Sequence, residues 1–522
     1  MIRLNSILFS ALAILAGAVC YGQSPEDEEY GLECTSILVG RLASADGSVI
    51  TSHTCDGVSH TWVAAEPAKK HKKGEVHRVY RGTRHTAFRE DTTGVRYMGE
   101  IPEAEHTYAY LNTGYPCLNE KQLGMGETTF TGPDTLISDK GIFLIEELAR
   151  IALQRCDNAR EACRLMGTLA EQYGYADGGE CLTVADPREA WQFEIMGPGK
   201  GRVGAIWAAK RVPDGEVAVS CNIARIGRLE RENKEGFMCS DNVEQVCKDH
   251  GLWDGKGEFI FWKAAGGGYG NGKNFREREF VIFSTLAPSL GFTYDMAELP
   301  FSIKPDEKVD VRKVMELQRG TYEGTEFDMT KNILMPVKAK DGKTDSLRVS
   351  PVANPWVTTN WQKTINQIAP GAIEFHRTLA VAWCSYSTVI QLRGWLPDNV
   401  GGICWYAVDN PAQSPHIPIF SGTTKLPKAF EYNGQKGYKA DCVLWQFRRA
   451  NKLATLLWQD NKKEFTETLL KTEDIAFDAL PALDAAPSTS AINKFTADYY
   501  KKAAAVWDEL EAKYWVKSGR GF

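Results

Sequence analysis

The chain has 522 residues, 43% of them hydrophobic and 25% charged, with a formal net charge of −6. That length supports a large core, the composition argues against long disordered tracts, and the mildly negative charge excludes an electrostatic reason to bind nucleic acid. The basic run "KKHKKGEVHR" at 69–78 has no interleaved aromatics and reads as a solvated loop.

At the N-terminus, Arg3 precedes an apolar and small-residue run over 6–19, and polar "YGQSPEDEEYG" follows. This pattern predicts a secretory signal over 1–22, too short for a membrane span, and a short acidic propeptide over 23–33. The mature chain is therefore expected outside the cytoplasm, in the periplasm or the extracellular space. In "GAVC", bulky Val19 stands where a small residue is expected, which argues against a lipid anchor at Cys20. No later segment is apolar enough to span a bilayer. The thirteen cysteines are scattered and lack CxxC spacing. Export permits one or two disulfides, but the sequence does not assign them.

Next come the β-rich segments "TSILVGR" (35–41) and "SVITSHT" (48–54), with Asp46-Gly47 between them as a hairpin-turn signal. A turn there pairs residues whose numbers sum to roughly 91–93. Cys34 then lies across from residues 57–59, close to Asp56 and at the same end as His53. Further strands are predicted at 106–113, 181–186, 190–197 and 216–227, and apolar residues at helical spacing predict an αα pair over 145–174. Strand character returns over 375–425, and from about 441 the chain is amphipathic and helical. Strand groups alternating with a helical pair predict a layered α+β domain over 34–440, with a helical C-terminal region over 441–522 packed on its core.

Two motifs fail. "GGGYGNGKN" (266–274) nearly matches a phosphate-binding loop, but Asn274 stands where a hydroxyl must meet magnesium, and neither a clear strand before the run nor a helix after it is predicted. His53 and Cys55 alternate on a strand without a partner pair, and no histidine has another four residues on, so no metal is expected.

The remaining question is Cys34, at the start of "ECTSILVGRLASADGSVITSHTCDG" (33–57). One reading is a structural edge cysteine beside a turn aspartate. The other follows from position. Cutting the Glu33–Cys34 bond would give Cys34 a free α-amine with a reference pKa of about 8, within reach of its own thiol of about 8.5. Nucleophile and base would then share one residue.

These blocks resemble, in order, the cysteine dipeptidases of the N-terminal-nucleophile hydrolase superfamily, relatives of the choloylglycine hydrolases and penicillin V acylases. The resemblance runs from "ECTSILVGR" through "NEKQLGMGETTFTG" (119–132), "GGECLTVADPREAWQFEIMGPGKGR" and "EVAVSCNIARIG" into "RGTYEGTEFDMT" (319–330) and "VIQLRGWLPDNVGGICWYAVDNPAQSPHIPIFSG". It implies an αββα sandwich of two antiparallel sheets with outer helices. It also implies dipeptidase activity; with the export signal, the chain is expected to be an exported dipeptidase that hydrolyses dipeptides through a thioester after its own thiol removes the segment before Cys34, with no cofactor. Position by position, it implies Cys34 as nucleophile and, through its amine, base, and Asp56 beside that amine. Asn119 and Asn222 are implied to contact the nucleophile or the developing oxyanion, while Glu120 and Glu127 brace the strands. Relatives commonly carry arginine where this chain has His53. Either Asp56 protonates His53 or another arginine takes the part. An acylase acting on N-acyl amides and a non-catalytic exported binding protein are the alternatives on the same fold, and a homo-oligomer is left open.

Overall fold

Strand Val49–Asp56 is buried at all eight positions, which requires cover on both of its faces. The computed structural model, which describes residues 33–268, 273–338 and 345–519, supplies that cover. The expected signal, residues 23–32 of the propeptide, Cys20 and residues 269–272 of the glycine-rich run lie outside the described residues.

Val49–Asp56 sits mid-sheet, between Ser36–Val39 and Cys384–Leu392. The full order of this first sheet is Ser302–Ile303, Val217–Ser220, Ser36–Val39, Val49–Asp56, Cys384–Leu392, Gly402–Val408 and Ile417–Phe420. The second sheet runs Phe237–Cys239, Ile206–Val212, Ala190–Met196, Gly179–Ala185, Gly124–Thr131, Leu118–Asn119, Tyr110–Asn112 and Ala64–Glu66. Neighbours in both sheets pair antiparallel.

The sheets pack face to face. Thr51 Oγ1 lies 2.8 Å from Thr183 Oγ1 across the interface, and Ser36 Oγ donates to the Glu127 carbonyl at 3.2 Å. The glycines of "GMGE" allow this approach, since a Cβ at Gly126 would come within 2.2 Å of the Ser52 carbonyl oxygen. Helices Ile145–Arg155 and Ala159–Tyr173 cover the outer face of the second sheet. The latter is capped by Asn158, whose side chain accepts from Glu161 N–H at 3.0 Å, and its Gly167 gives way to the Trp207 ring. Helices Val311–Gln318, Val443–Thr455, Trp458–Ala485 and Thr489–Ser518 cover the first sheet, where Trp405 stacks on Phe477 at 4.3 Å. The fold is the expected α+β sandwich of layers αββα.

Several local expectations change. The first hairpin pairs Leu38 with Thr51 and Val39 with Ile50, so its residue numbers sum to 89, and Cys34 lies level with Cys55 rather than with 57–59. The reason is that Asp46 does not form the hairpin tip. Its Oδ1 accepts from Ser48 N–H at 2.9 Å inside a longer loop. A helix, Lys273–Leu286, does open at the end of the glycine-rich run. Its buried face carries Glu277, Arg278 and Glu279, and charge at core positions hid the helical period. The predicted strand 216–227 stops at Ser220 because Asn222 turns the chain with φ of 61°. The twelve described cysteines all carry free thiols. Among the described residues, no helix is long and apolar enough to cross a membrane.

Candidate active site

Cys34 enters the first sheet one residue before the Thr35–Thr54 bridge and is almost fully buried. Its backbone N–H donates to Asn222 Oδ1 at 2.9 Å, and its carbonyl accepts from Arg278 Nη1 at 2.6 Å. Arg278 also donates from Nη2 to Asn222 Oδ1 at 2.9 Å, so one guanidinium fixes both the cysteine and the asparagine that holds it. Asn222 reaches this place because it adopts the left-handed conformation at a strand end, which asparagine tolerates better than most residues. Its Nδ2 donates to the Thr129 carbonyl at 2.5 Å. Burial, with Glu127, Cys55 and Asp56 nearby, pushes the Cys34 thiol well above its ordinary range, against the pull of the Asp56 backbone. In the uncut chain this sulfur is a neutral thiol.

Asp56 ends strand Val49–Asp56. Its Oδ2 accepts from Thr54 Oγ1 at 2.9 Å and from Arg377 Nη2 at 2.5 Å. Its Oδ1 is buried and has no hydrogen-bond partner among the described residues. Arg377 in turn donates from Nε to Glu33 Oε2 at 2.7 Å and from Nη2 to the Glu33 carbonyl at 3.2 Å. The bond before Cys34 is thus clamped on both sides: arginine on the Glu33 carbonyl, asparagine on the Cys34 nitrogen. Burial lowers the basicity of Arg377, but Asp56 and Glu33 outweigh it and keep the guanidinium charged.

His53 points to the other side of the strand. Its Nε2 lies 3.4 Å from Glu127 Oε2, and its ring is held edge-on between Tyr115 and Tyr386, with centroids at 5.4 and 5.8 Å. Burial alone would raise the Glu127 carboxyl, yet hydrogen bonds with His53 and Glu180 hold it below the ordinary value. Burial and the Glu127 charge drive Glu180 well above the carboxylate range. Glu180 is thereby held toward its neutral form beside Glu127, and Thr129 Oγ1 donates to Glu180 Oε1 at 2.9 Å. Cys34, His53 and Glu127 present donor atoms of metal-binding type within 4.8 Å of one another, the one such group among the described residues.

Of the residues singled out from sequence, the structure gathers Cys34, Asp56, Asn222 and His53, with Glu127, around one end of the first hairpin. Asn119 stands apart from this group in its bonding. Both hydrogens of its amide go to the Leu153 and Cys156 carbonyls at 2.7 and 2.9 Å, and its Oδ1 accepts from Lys121 and Leu123 N–H. It has no donor left for an oxyanion and instead ties a turn to the end of helix Ile145–Arg155. Glu120 likewise accepts from Ala109 N–H at 2.9 Å. Sequence reasoning missed Arg278, Arg377 and Glu33. His53 pairs with Glu127 and not with Asp56, so the arginine beside Asp56 is Arg377. A cavity of about 1100 Å³ opens one residue past Asp56, lined by Gly57, Val58, Ile333, Trp356 and Trp383 among others.

A family model described as "Peptidase family C69" matches residues 33–471. A probable dipeptidase of Latilactobacillus sakei is 24% identical over 414 residues, which cover 76% of each chain. A probable dipeptidase of Salmonella dublin is 24% identical over 450 residues, 81% of this chain and 90% of that one. A probable dipeptidase B of Lactococcus lactis subsp. lactis is 23% identical over 433 residues, 79% of each. The chain belongs to peptidase family C69.

Proposed function

We propose that this member of peptidase family C69 is an exported dipeptidase whose working form begins at Cys34. The observation that carries the reading is the double clamp on the Glu33–Cys34 bond, with the buried, partnerless Asp56 Oδ1 at the same strand end. Cutting that bond turns the Cys34 nitrogen from an amide into an amine. Asn222 Oδ1 already accepts from this nitrogen, and Asp56 Oδ1 supplies the anionic acceptor that a protonated amine requires.

In the proposed reaction the Cys34 sulfur attacks the carbonyl of the dipeptide's first residue as its proton passes to the α-amine. The carbon–nitrogen bond then breaks, the amine returns the proton to the leaving amino acid, and water clears the thioester. Arg377 stays charged beside Asp56 and contributes no proton. His53 and Glu127 provide a second proton acceptor near the sulfur, which matters during maturation, when the α-amine does not yet exist. Residues 1–22 are read as the export signal, 23–33 as the segment removed, 34–440 as the hydrolase domain and 441–522 as the helices packed on it.

The test is hydrolysis of a panel of unblocked dipeptides and N-acyl amides by purified protein and by Cys34→Ala. The expected result is free amino acids from unblocked dipeptides, with turnover abolished in the variant. The apolar cavity beside Gly57 favours a second reading, an acylase, which cleavage confined to N-acylated compounds would support.

A further inference from the structure

The Glu33 side chain does more than precede the nucleophile. It is buried to 8% exposure, and its carboxylate meets two guanidiniums that are themselves almost fully enclosed: Arg377 Nε at 2.7 Å and Arg278 Nη2 at 3.8 Å, the arginines being 1% and 0% exposed. Arg377 is further sandwiched toward Trp383, with 5.7 Å from guanidinium carbon to ring centroid. A carboxylate in this setting is recognised by geometry and by charge, because an enclosed guanidinium that loses a partner cannot regain full hydration.

We propose that the place vacated by the Glu33 side chain becomes a binding subsite for an acidic side chain on the first residue of the substrate, so that the enzyme prefers dipeptides beginning with glutamate. This rests on the reading of Cys34 as the nucleophile that releases its own N-terminus. In maturation the sulfur attacks the Glu33 carbonyl carbon. The carbon–sulfur bond forms, the bond from that carbon to the Cys34 nitrogen breaks, and the thiol proton ends on that nitrogen. Water then breaks the carbon–sulfur bond, leaving residue 33 as a carboxylic acid and restoring the thiol. Hydrolysis of a glutamyl dipeptide passes through the same group on the same sulfur: a glutamyl thioester, formed as the bond to the second residue breaks and that residue's nitrogen takes the proton. The side chain that the two arginines hold in the first event has the same length, charge and attachment point in the second.

Release of Glu33 also removes one of the two carboxylates on Arg377 and leaves Asp56 to serve both Arg377 and the new amine. An incoming carboxylate restores the lost partner. A neutral isostere fills the volume but not the charge.

The experiment compares kcat/KM of the mature enzyme for Glu-Ala, Gln-Ala, Ala-Ala and Lys-Ala at neutral pH, with inhibition by free glutamate and free glutamine as a second readout. The expected result is about a tenfold or larger advantage of Glu-Ala over Gln-Ala, carried mainly by KM, as exchanging a charge-assisted for a neutral hydrogen bond implies. Lys-Ala should be the poorest, and glutamate should inhibit more strongly than glutamine. Efficient cleavage of Ala-Ala and Gln-Ala with no gain for Glu-Ala would overturn the subsite and leave the dipeptidase reading intact. Failure to cleave any of the four by protein that begins at Cys34 would overturn both.

Discussion

Arg377 Nη2 donates to Asp56 Oδ2 at 2.5 Å, joining two almost fully buried side chains 321 positions apart in sequence. This contact leaves Asp56 Oδ1 buried and open, and it places a permanent positive charge beside the Glu33–Cys34 bond. It also answers the question raised by His53: the arginine next to the aspartate arrives from a distant segment, and the histidine is left to pair with Glu127.

Asp56→Asn should therefore cost both stability and turnover. The amide cannot neutralise Arg377, and stranding a buried guanidinium typically costs about 3–5 kcal/mol. It also removes the anionic partner of the Cys34 amine, so kcat should fall by roughly a hundredfold or more. Urea unfolding and dipeptide turnover, measured on the same preparation, check the two effects. Unchanged turnover would exclude a role for Asp56 beside the amine.

Two substitutions at Asn222 separate its backbone from its side chain. Glycine accepts a φ of 61° freely, whereas alanine there carries a strain of about 1 kcal/mol. Asn222→Ala should thus be less stable than Asn222→Gly by about that amount, while both lose the acceptor for the Cys34 nitrogen and lose activity together. Full activity in the glycine variant would show that the side chain is dispensable.

The buried pair Glu127 and Glu180 predicts an asymmetry. Burial and the neighbouring Glu127 favour the neutral form of Glu180, so Glu180→Gln, neutral and of the same shape, should keep stability within about 1 kcal/mol. Glu127 is the charged member facing His53 at 3.4 Å, and Glu127→Gln should slow maturation and turnover. Equal effects of the two changes, followed by thermal melting and activity, would contradict this division of the proton.

The layered fold was legible in the sequence because most strands announce themselves: the runs at 35–41, 48–54, 181–186 and 190–197 are apolar or β-branched and bounded by turn residues. The grouping of Cys34, Asp56 and Asn222 at the candidate site was legible where chemistry and chain position coincide. Arg278 and Arg377 were not, since nothing local distinguishes an arginine that will be buried. Arg278 lies in "NFREREF", which reads as a solvated run until tertiary contacts enclose it. Asn119 misled for the converse reason. A lone asparagine after a strand serves a turn as readily as an oxyanion, and here all four of its hydrogen-bonding positions are taken by backbone.

The C-terminal helices should loosen in acid. Burial would raise the Glu473 carboxyl, but Arg319 and His416 outweigh it and hold it at about 2, against 4.5 ordinarily. A carboxylate depressed in the folded state contributes stability that is present above the unfolded value and lost as pH falls through the folded one. The contribution, about 3 kcal/mol at neutral pH, should disappear between about pH 4.5 and 2. Glu473→Gln should show lower stability at neutral pH and a flatter acid limb. A variant whose stability tracks the parent across that window would contradict the assignment.

Whether the Cys34 nitrogen is an amide or a free amine in the working enzyme decides the mechanism. Intact mass and N-terminal sequencing of catalytically active protein read this directly, with Cys34→Ala as the uncut control. Active protein should begin at Cys34, and the variant should retain residue 33. Active protein in which Glu33 is still joined to Cys34 would rule out the α-amine as the base.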